Sequence, residues 1–412
     1  MEWVACVGID WSDRKHDWML VAQDGRTDRG VFESKPEEVH EWVRALRGRF
    51  PEGKILVALE QSRGALMYAL RRYDFLIIVP INPRSLKAYR DSLRLSGAKD
   101  DPSDAELIRK FAVTHLEYLR VWSPDDPCTR KLRLLAEARR GLVDQRTAHT
   151  QALTAACKEY FPQVLGWFGG AGQTLTLAFL KRLPTLSKAK AARPETVRTL
   201  VRAHSRWSDE KIEALVVSIR SAVALTDDDA INEAQAMLAQ SLVSIIVVID
   251  GHVKEYDKAI ESLAQAHPDR EVFASFPGAG KVMAPRLMVA FGVDRARWED
   301  AREIQSYSGI APVLDSSGGR RWVHARWHCP TFLKQTFHEF AQASLPHSAW
   351  ARAYYHQQVD RGSGHHAAIR SLAYRWIRIL FRCWTTNELY DEDRYVAKLK
   401  QKGSPVIARL AA

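Results

Sequence analysis

Three short apolar runs place the strongest constraint on this chain: Val4–Ile9, Lys54–Leu59 and Phe75–Ile81. Each is too short for a core helix and rich in branched residues, so each reads as a strand buried on both faces. Trp18–Ala22 and Gly30–Phe32 read as further strands. Helices are predicted over Pro36–Arg47, with its proline in the tolerated first turn, and over Ala65–Arg71 and Asp104–Ala112. Strand and helix in alternation predict a mixed or parallel sheet covered by helices.

Ser123–Pro127 (SPDDP) is a breaker cluster and a predicted boundary. Beyond it the pattern turns helical. Arg130–Tyr160 reads as one long basic helix, Leu165–Gly172 as a loop, and Thr174–Thr226 as short helices. Leu242, Ile246, Ile249, Val253, Tyr256, Ile260 and Leu263 then step by alternating fours and threes, the spacing of a coiled-coil seam. That seam can pair with the 130–160 helix of the same chain or across subunits. A mainly helical region follows from about residue 270.

The net charge of +11 points to a polyanionic partner, nucleic acid or an anionic membrane surface, while charge alone is equally consistent with a merely solvated basic face. No run of 18 apolar residues occurs, and the first residues lack a signal-peptide layout, so no membrane span is expected. The five cysteines are scattered without a CxxC pair. That argues against a zinc knuckle or a disulfide framework and for a reducing, cytoplasmic setting. Arg130, Lys131, Arg139, Arg140 and Arg146 are the candidate phosphate contacts of the basic helix. Lys281 closes a Pro277-Gly278-Ala279-Gly280 turn that either presents backbone N–H groups to a phosphate or simply enters a helix.

Four acids carry the chemistry of the first region. Asp10 and Glu60 end two of the apolar runs, and acids in that position gather at one edge of a sheet. Asp101 and Asp104, three apart at a helix start, share one helical face. Four carboxylates brought together repel, and a divalent cation with a taste for hard oxygen ligands, Mg²⁺ or Mn²⁺, removes that penalty. Singly, each could cap a turn or a helix; Asp100 is an alternative to Asp101, and Asp13 and Asp17 read as solvated. Further on, Ser316-Ser317-Gly318-Gly319-Arg320-Arg321 reads as a flexible basic loop. A serine there could act as a nucleophile if activated, with Arg320, Arg321, His324 and Arg326 supplying positive charge. Alone, the pattern is that of a surface loop.

The order of these stretches resembles the insertion-sequence-110 family of DEDD transposases. The resemblance runs through VGIDWSDRKHDWMLV, ALEQSRG and INPRSLKAYRDSLRLSGAKDDPSDAELI. It resumes at FASFPGAGKVMAPRLMVAFG, EIQSYSGIAPVLDSSGGRR and HHAAIRSLAYRWIRILF, covering roughly residues 4–120 and 270–385. It implies an α/β RuvC-like (RNase H-like) N-terminal domain over 1–125 and a helical, coiled-coil middle region over 126–268. A mainly α-helical C-terminal transposase domain over 269–395 and a tail over 396–412 would follow. Its acidic tetrad would be Asp10, Glu60, Asp101 and Asp104, holding Mg²⁺ or Mn²⁺, and its nucleophile Ser317, with Ser316 one residue away. It implies strand exchange through a phosphoserine link, a structured noncoding guide RNA pairing with donor and target DNA, and a homo-oligomer, dimer or tetramer. Two stretches depart from the family pattern: His328-Cys329-Pro330-Thr331 stands where Ser-Lys-x-Gly is common, and the region of about 160–235 is longer. The competing expectations are a RuvC-like Holliday-junction nuclease using metal-activated water, and an inactive nuclease fold that only binds nucleic acid.

Overall fold

The computed structural model describes residues 2–60, 64–93, 101–317, 319–326 and 329–410, without the side chains of 93, 101–103, 317 and 321. It divides into two compact units, Met1–Pro124 and Asp125–Ala412.

The first unit is built on a five-stranded sheet: β1 (Ala5–Trp11), β2 (Lys15–Ala22), β3 (Thr27–Glu33), β4 (Ile55–Leu59) and β5 (Leu76–Pro80), in the order β3-β2-β1-β4-β5. β1, β2 and β3 form an antiparallel meander, while β4 and β5 run parallel to β1. The helices are α1 (Pro36–Arg49), α2 (Ala65–Leu70), α3 (Pro83–Leu93) and α4 (Asp101–Thr114). Alternation along the strands separates the two faces. Ala5, Val7, Ile9, Val57 and Leu59 pack against Val39, Val43 and Leu46 of α1 and Leu66, Met67 and Leu70 of α2. On the other face, Ala58 joins Leu107, Ile108, Phe111 and Ala112 of α4.

α3 is an element that the apolar periodicity did not reveal. Its signal was local: Asn82 accepts a hydrogen bond from the Arg84 backbone N–H at 2.9 Å, and Pro83 begins the helix. A capping asparagine followed by a proline at the first helical position is an entry signature.

The second unit begins with α5 (Pro127–Tyr160), started by Asp126, whose carboxylate accepts from the N–H groups of Cys128 and Thr129. Five shorter helices follow: α6 (Gln163–Phe168), α7 (Thr174–Arg182), α8 (Leu186–Ala191), α9 (Pro194–His204) and α10 (Asp209–Ser221). The expected loop over 165–172 is thus partly helix. α11 (Asp229–Gln265) then returns along α5. The contacts Thr129–His267, Arg139–Asp257 and Arg146–Asp250 fall in opposite order along the two chains, so the pair is antiparallel. Leu242, Ile246, Ile249 and Ile260 of the expected seam are buried. The seam therefore serves a hairpin within the chain. By length and composition α11 could cross a membrane, but its apolar residues serve this pairing and the core of the five short helices.

The remaining elements are α12 (Arg270–Ala274), α13 (Met283–Phe291), α14 (Ala301–Tyr307), β6 (Val313–Ser317), β7 (Arg320–His324), α15 (Thr331–Ser344), α16 (Ala349–Asp360), α17 (His365–Thr386) and α18 (Glu392–Gln401). Their core contains Phe291, Phe340, Trp350, Trp376 and Trp384, and it also takes in Leu132, Ala136, Ile260 and Ala264 from the hairpin base. The hairpin joins two cores: this one at its base, and that of α6–α10 with Leu153, Cys157 and Ile246 at its far end.

Candidate active site

The carboxylate site begins with a glycine. A Cβ on Gly8 would lie 2.1 Å from the Ala105 carbonyl oxygen and 2.6 Å from the Arg109 nitrogen, so α4 can lie on β1 only because Gly8 has no side chain. This contact places Asp104, one residue before Ala105, over the face that Gly8 and Asp10 share. The parallel register ends at Ile9 opposite Leu59, so Asp10 and Glu60 emerge together at the carboxyl edge of adjacent strands, whose usual spacing is about 4.8 Å. Asp10 and Glu60 therefore lie at one edge of the sheet, and Asp104 lies on the helix that covers the same face. Asp101 starts α4 on the same approach, and its side chain lies outside the described residues, as does the whole of Asp100.

Asp104 is not a helix cap. It is 1% exposed and pairs with Arg90 of α3 at 3.0 Å. Arg90 is a member of this site that sequence reasoning missed, since only folding brings α3 beside α4. Asp17, expected to be solvated, is 5% exposed, lies directly across the antiparallel register from Asp10, and is 3.3 Å from Lys15. Neighbouring His16 is shifted down by burial, with Asp17 opposing the shift. On the same face the Cys6 thiol is pushed up to about 12 by burial. Among the described residues no three His, Cys, Asp or Glu side chains stand close enough to share one ion. The donor chemistry, carboxylate oxygens only, suits a hard divalent cation. Arg90 meets part of the same electrostatic demand.

The serine stretch is a β-hairpin and not the flexible loop expected. Ser316 pairs with Arg321 and Ser317 with Arg320, and Gly319 takes φ +78°, the left-handed conformation a two-residue hairpin turn requires. Ser316 and Arg320 are exposed, and His324 Nδ1 is 3.4 Å from the Asp315 carboxylate. The side chains of Ser317 and Arg321 lie outside the described residues. At the hairpin's root, the carbonyl of half-buried Arg326 accepts from Lys334 Nζ at 3.2 Å.

Several basic residues expected to contact phosphates are engaged inside the chain. Arg139 binds Asp257 at 2.8 Å, Arg146 binds Asp250 at 2.5 Å, and Arg140 binds Glu339 at 2.8 Å and Asp144 at 2.7 Å. Arg130 donates to the Asp125 carbonyl at 2.8 Å. Lys131 is exposed, and exposed Lys281 is 2.6 Å from Glu261. The Gly278 turn serves packing: its φ is +78°, and a Cβ there would lie 2.4 Å from the Ala343 carbonyl oxygen.

Residues 7–162 match the family model of the IS110-type DEDD transposase, and residues 270–356 match the model described as Transposase IS116/IS110/IS902 family. Among curated relatives, the chain is 29% identical over 411 residues to the "Mini-circle putative transposase for IS117" of Streptomyces coelicolor, covering 96% of this chain and 97% of the relative. It is 24% identical over 347 residues to the "Insertion element IS110 uncharacterized 43.6 kDa protein" of the same species, covering 82% and 84%. A similar protein of insertion element IS116 from Streptomyces clavuligerus is 24% identical over 394 residues, with 93% and 95% covered. The DEDD match accounts for the RuvC-like character of the first unit, whose meander extended by two parallel strands carries acids at its edge. Domain matches on both units and full-length relatives agree: this chain belongs to the IS110 family of DNA transposases.

Proposed function

We propose that the chain moves its element by breaking and rejoining DNA through a seryl–phosphate link. The placement of Asp10 and Glu60 at one sheet edge, with Asp104 buried on the helix over the same face, supports this reading. With Asp101, these residues would hold Mg²⁺ or Mn²⁺, which supplies charge stabilisation at the reacting phosphate. Arg90 pairs with the buried Asp104 carboxylate and helps to hold it in place.

Ser317 is the nucleophile. Its Oγ–P bond forms as the P–O bond to the displaced strand breaks. The hydroxyl proton leaves to a base, and the displaced oxygen takes one up. One phosphoester replaces another, so the link retains the energy needed for rejoining. Arg320, Arg321 and Arg326 surround the hairpin with positive charge for the phosphates of donor and target DNA. The net charge of +11 supports a large polyanionic load, a structured noncoding guide RNA as well as DNA, held through salt-sensitive phosphate contacts. The working form is a homo-oligomer, because several strands must be cut in concert. Five free cysteines suit a reducing cytoplasm.

The test compares Ser317→Ala with Ser316→Ala in a recombination assay, with labelled DNA run on a denaturing gel. Ser317→Ala is expected to lose recombination by about 10³-fold or more and to trap no protein–DNA adduct, while Ser316→Ala retains both. Full recombination by Ser317→Ala would remove the nucleophile, and metal-dependent cleavage without any adduct in the unaltered protein would favour water as the attacking group.

A further inference from the structure

We propose that His338, His365, His366 and Arg370 form a phosphate-binding site for the DNA backbone beside the root of the serine hairpin. This rests on the reading above only for the choice of DNA as the phosphate source.

The site is made where the first turns of α17 meet α15. The His338 and His366 rings are 5.6 Å apart between centroids, and those of His365 and His366 are 5.1 Å apart. Tyr355 of α16 closes one side, its hydroxyl 2.8 Å from His365 Nδ1. Arg370, half-buried, stands one helical turn beyond His366. Four groups able to donate N–H bonds thus converge from two helices.

What they lack is an acid. Several arginines of this unit have carboxylate partners, among them Arg139 with Asp257, Arg146 with Asp250, Arg295 with Asp269 and Arg297 with Asp125. Among the described residues, no carboxylate forms an ion pair with Arg370 or with any of the three imidazoles. His338 is shifted down by burial, with His366, Arg370 and His365 adding to the shift electrostatically and a hydrogen bond to the His366 backbone opposing it. An arginine beside three imidazoles, with no carboxylate paired to it among the described residues, is suited to an external anion. The groups facing it are His338 and, one turn away, Lys334 on α15; Tyr355 and His356 on α16; and His365, His366 and Arg370 on α17.

Its place selects the anion. Lys334, one turn before His338 on α15, donates to the carbonyl of Arg326, where the chain leaves β7. The cluster therefore lies one helical turn from the strand pair that carries Ser317. A phosphate held there belongs to a strand passing the hairpin, and imidazole and guanidinium N–H groups are its usual partners.

The test measures binding of a duplex DNA oligonucleotide, and of RNA of matched length, to the full chain across a salt series. The variants are His365→Ala/His366→Ala, Arg370→Ala and Arg370→Lys. Both alanine variants are expected to weaken DNA binding about tenfold and to flatten the salt slope by about one phosphate, while Arg370→Lys keeps most of the affinity. An unchanged thermal midpoint separates lost contacts from lost fold; His338→Gln provides a milder substitution if the alanine variants unfold. Unchanged DNA affinity and salt slope in folded variants overturn the proposal, and so does a loss confined to RNA. Ser317→Ala, assayed in parallel, separates the two readings: if it still recombines while the histidine variant loses DNA, the phosphate site stands and the nucleophile falls.

Discussion

The two candidate sites of this transposase are built in opposite ways. The carboxylate edge belongs to a core: β1 and β4 are buried on both faces, α4 is seated on Gly8, and Asp104 is almost wholly enclosed. The serine hairpin is an outlying pair of strands whose cross-strand residues Leu314 and Val323 are 73% and 63% exposed. An acid that must hold an ion needs its position set by packing. A strand pair offered to an incoming nucleic acid, as proposed for the hairpin, needs open space around it. The contrast sets an enclosed, packed acid edge against an exposed serine hairpin.

Three comparisons would break or sharpen this contrast. The largest effect is expected from Gly8→Val, which forces α4 off β1. It should cost about 3 kcal/mol in urea unfolding, against less than about 0.5 kcal/mol for Leu314→Ala on the exposed hairpin. Equal costs at the two positions would refute the distinction. Next, Arg90→Ala takes a cation from the enclosed Asp104 and should destabilise the chain by about 2 kcal/mol. Millimolar Mg²⁺ should recover part of that loss in the thermal midpoint, more than it raises the midpoint of the unaltered chain, since an ion that binds only the folded edge stabilises it. No differential effect would separate Asp104 from the ion. The smallest effect concerns the basic helix. Arg139→Ala should cost about 1 kcal/mol of stability through its half-buried pair with Asp257 and leave DNA affinity within about twofold, whereas Lys131→Ala should leave stability unchanged. A large loss of DNA affinity in Arg139→Ala would return that residue to the nucleic-acid surface.

Much of the first unit was legible because strands buried on both faces must be continuously apolar. Val4–Ile9, Lys54–Leu59 and Phe75–Ile81 all became strands of the sheet, and Asp10 and Glu60 could be placed at its edge from their positions alone. Illegible features depended on partners distant in sequence. Arg90 meets Asp104 only after α3 and α4 pack, and the buried state of Asp17 follows from its strand neighbours. The arginines of α5 looked like a surface for phosphate because Asp250 and Asp257 lie more than a hundred residues away. The hairpin was hidden by its glycines, which signal a loop equally well when they form the turn between two strands. The histidine cluster gave no motif, since His338 and His366 come from different helices.

The antiparallel pair of α5 and α11 also sets a distance. At about 1.5 Å per residue, the 34 residues of α5 span roughly 50 Å, with a hydrophobic assembly fastened at each end and Arg139–Asp257 and Arg146–Asp250 clamping the shaft between. Such a bar works as a ruler. Deleting matched turns from both helices would draw its outer load inward by about 5.4 Å per turn, and deleting a single residue from each would swing that load about 100° around the shaft. In this protein, reach and bearing are written in helix length, and relatives with shorter or longer bars would measure different spans along whatever they hold.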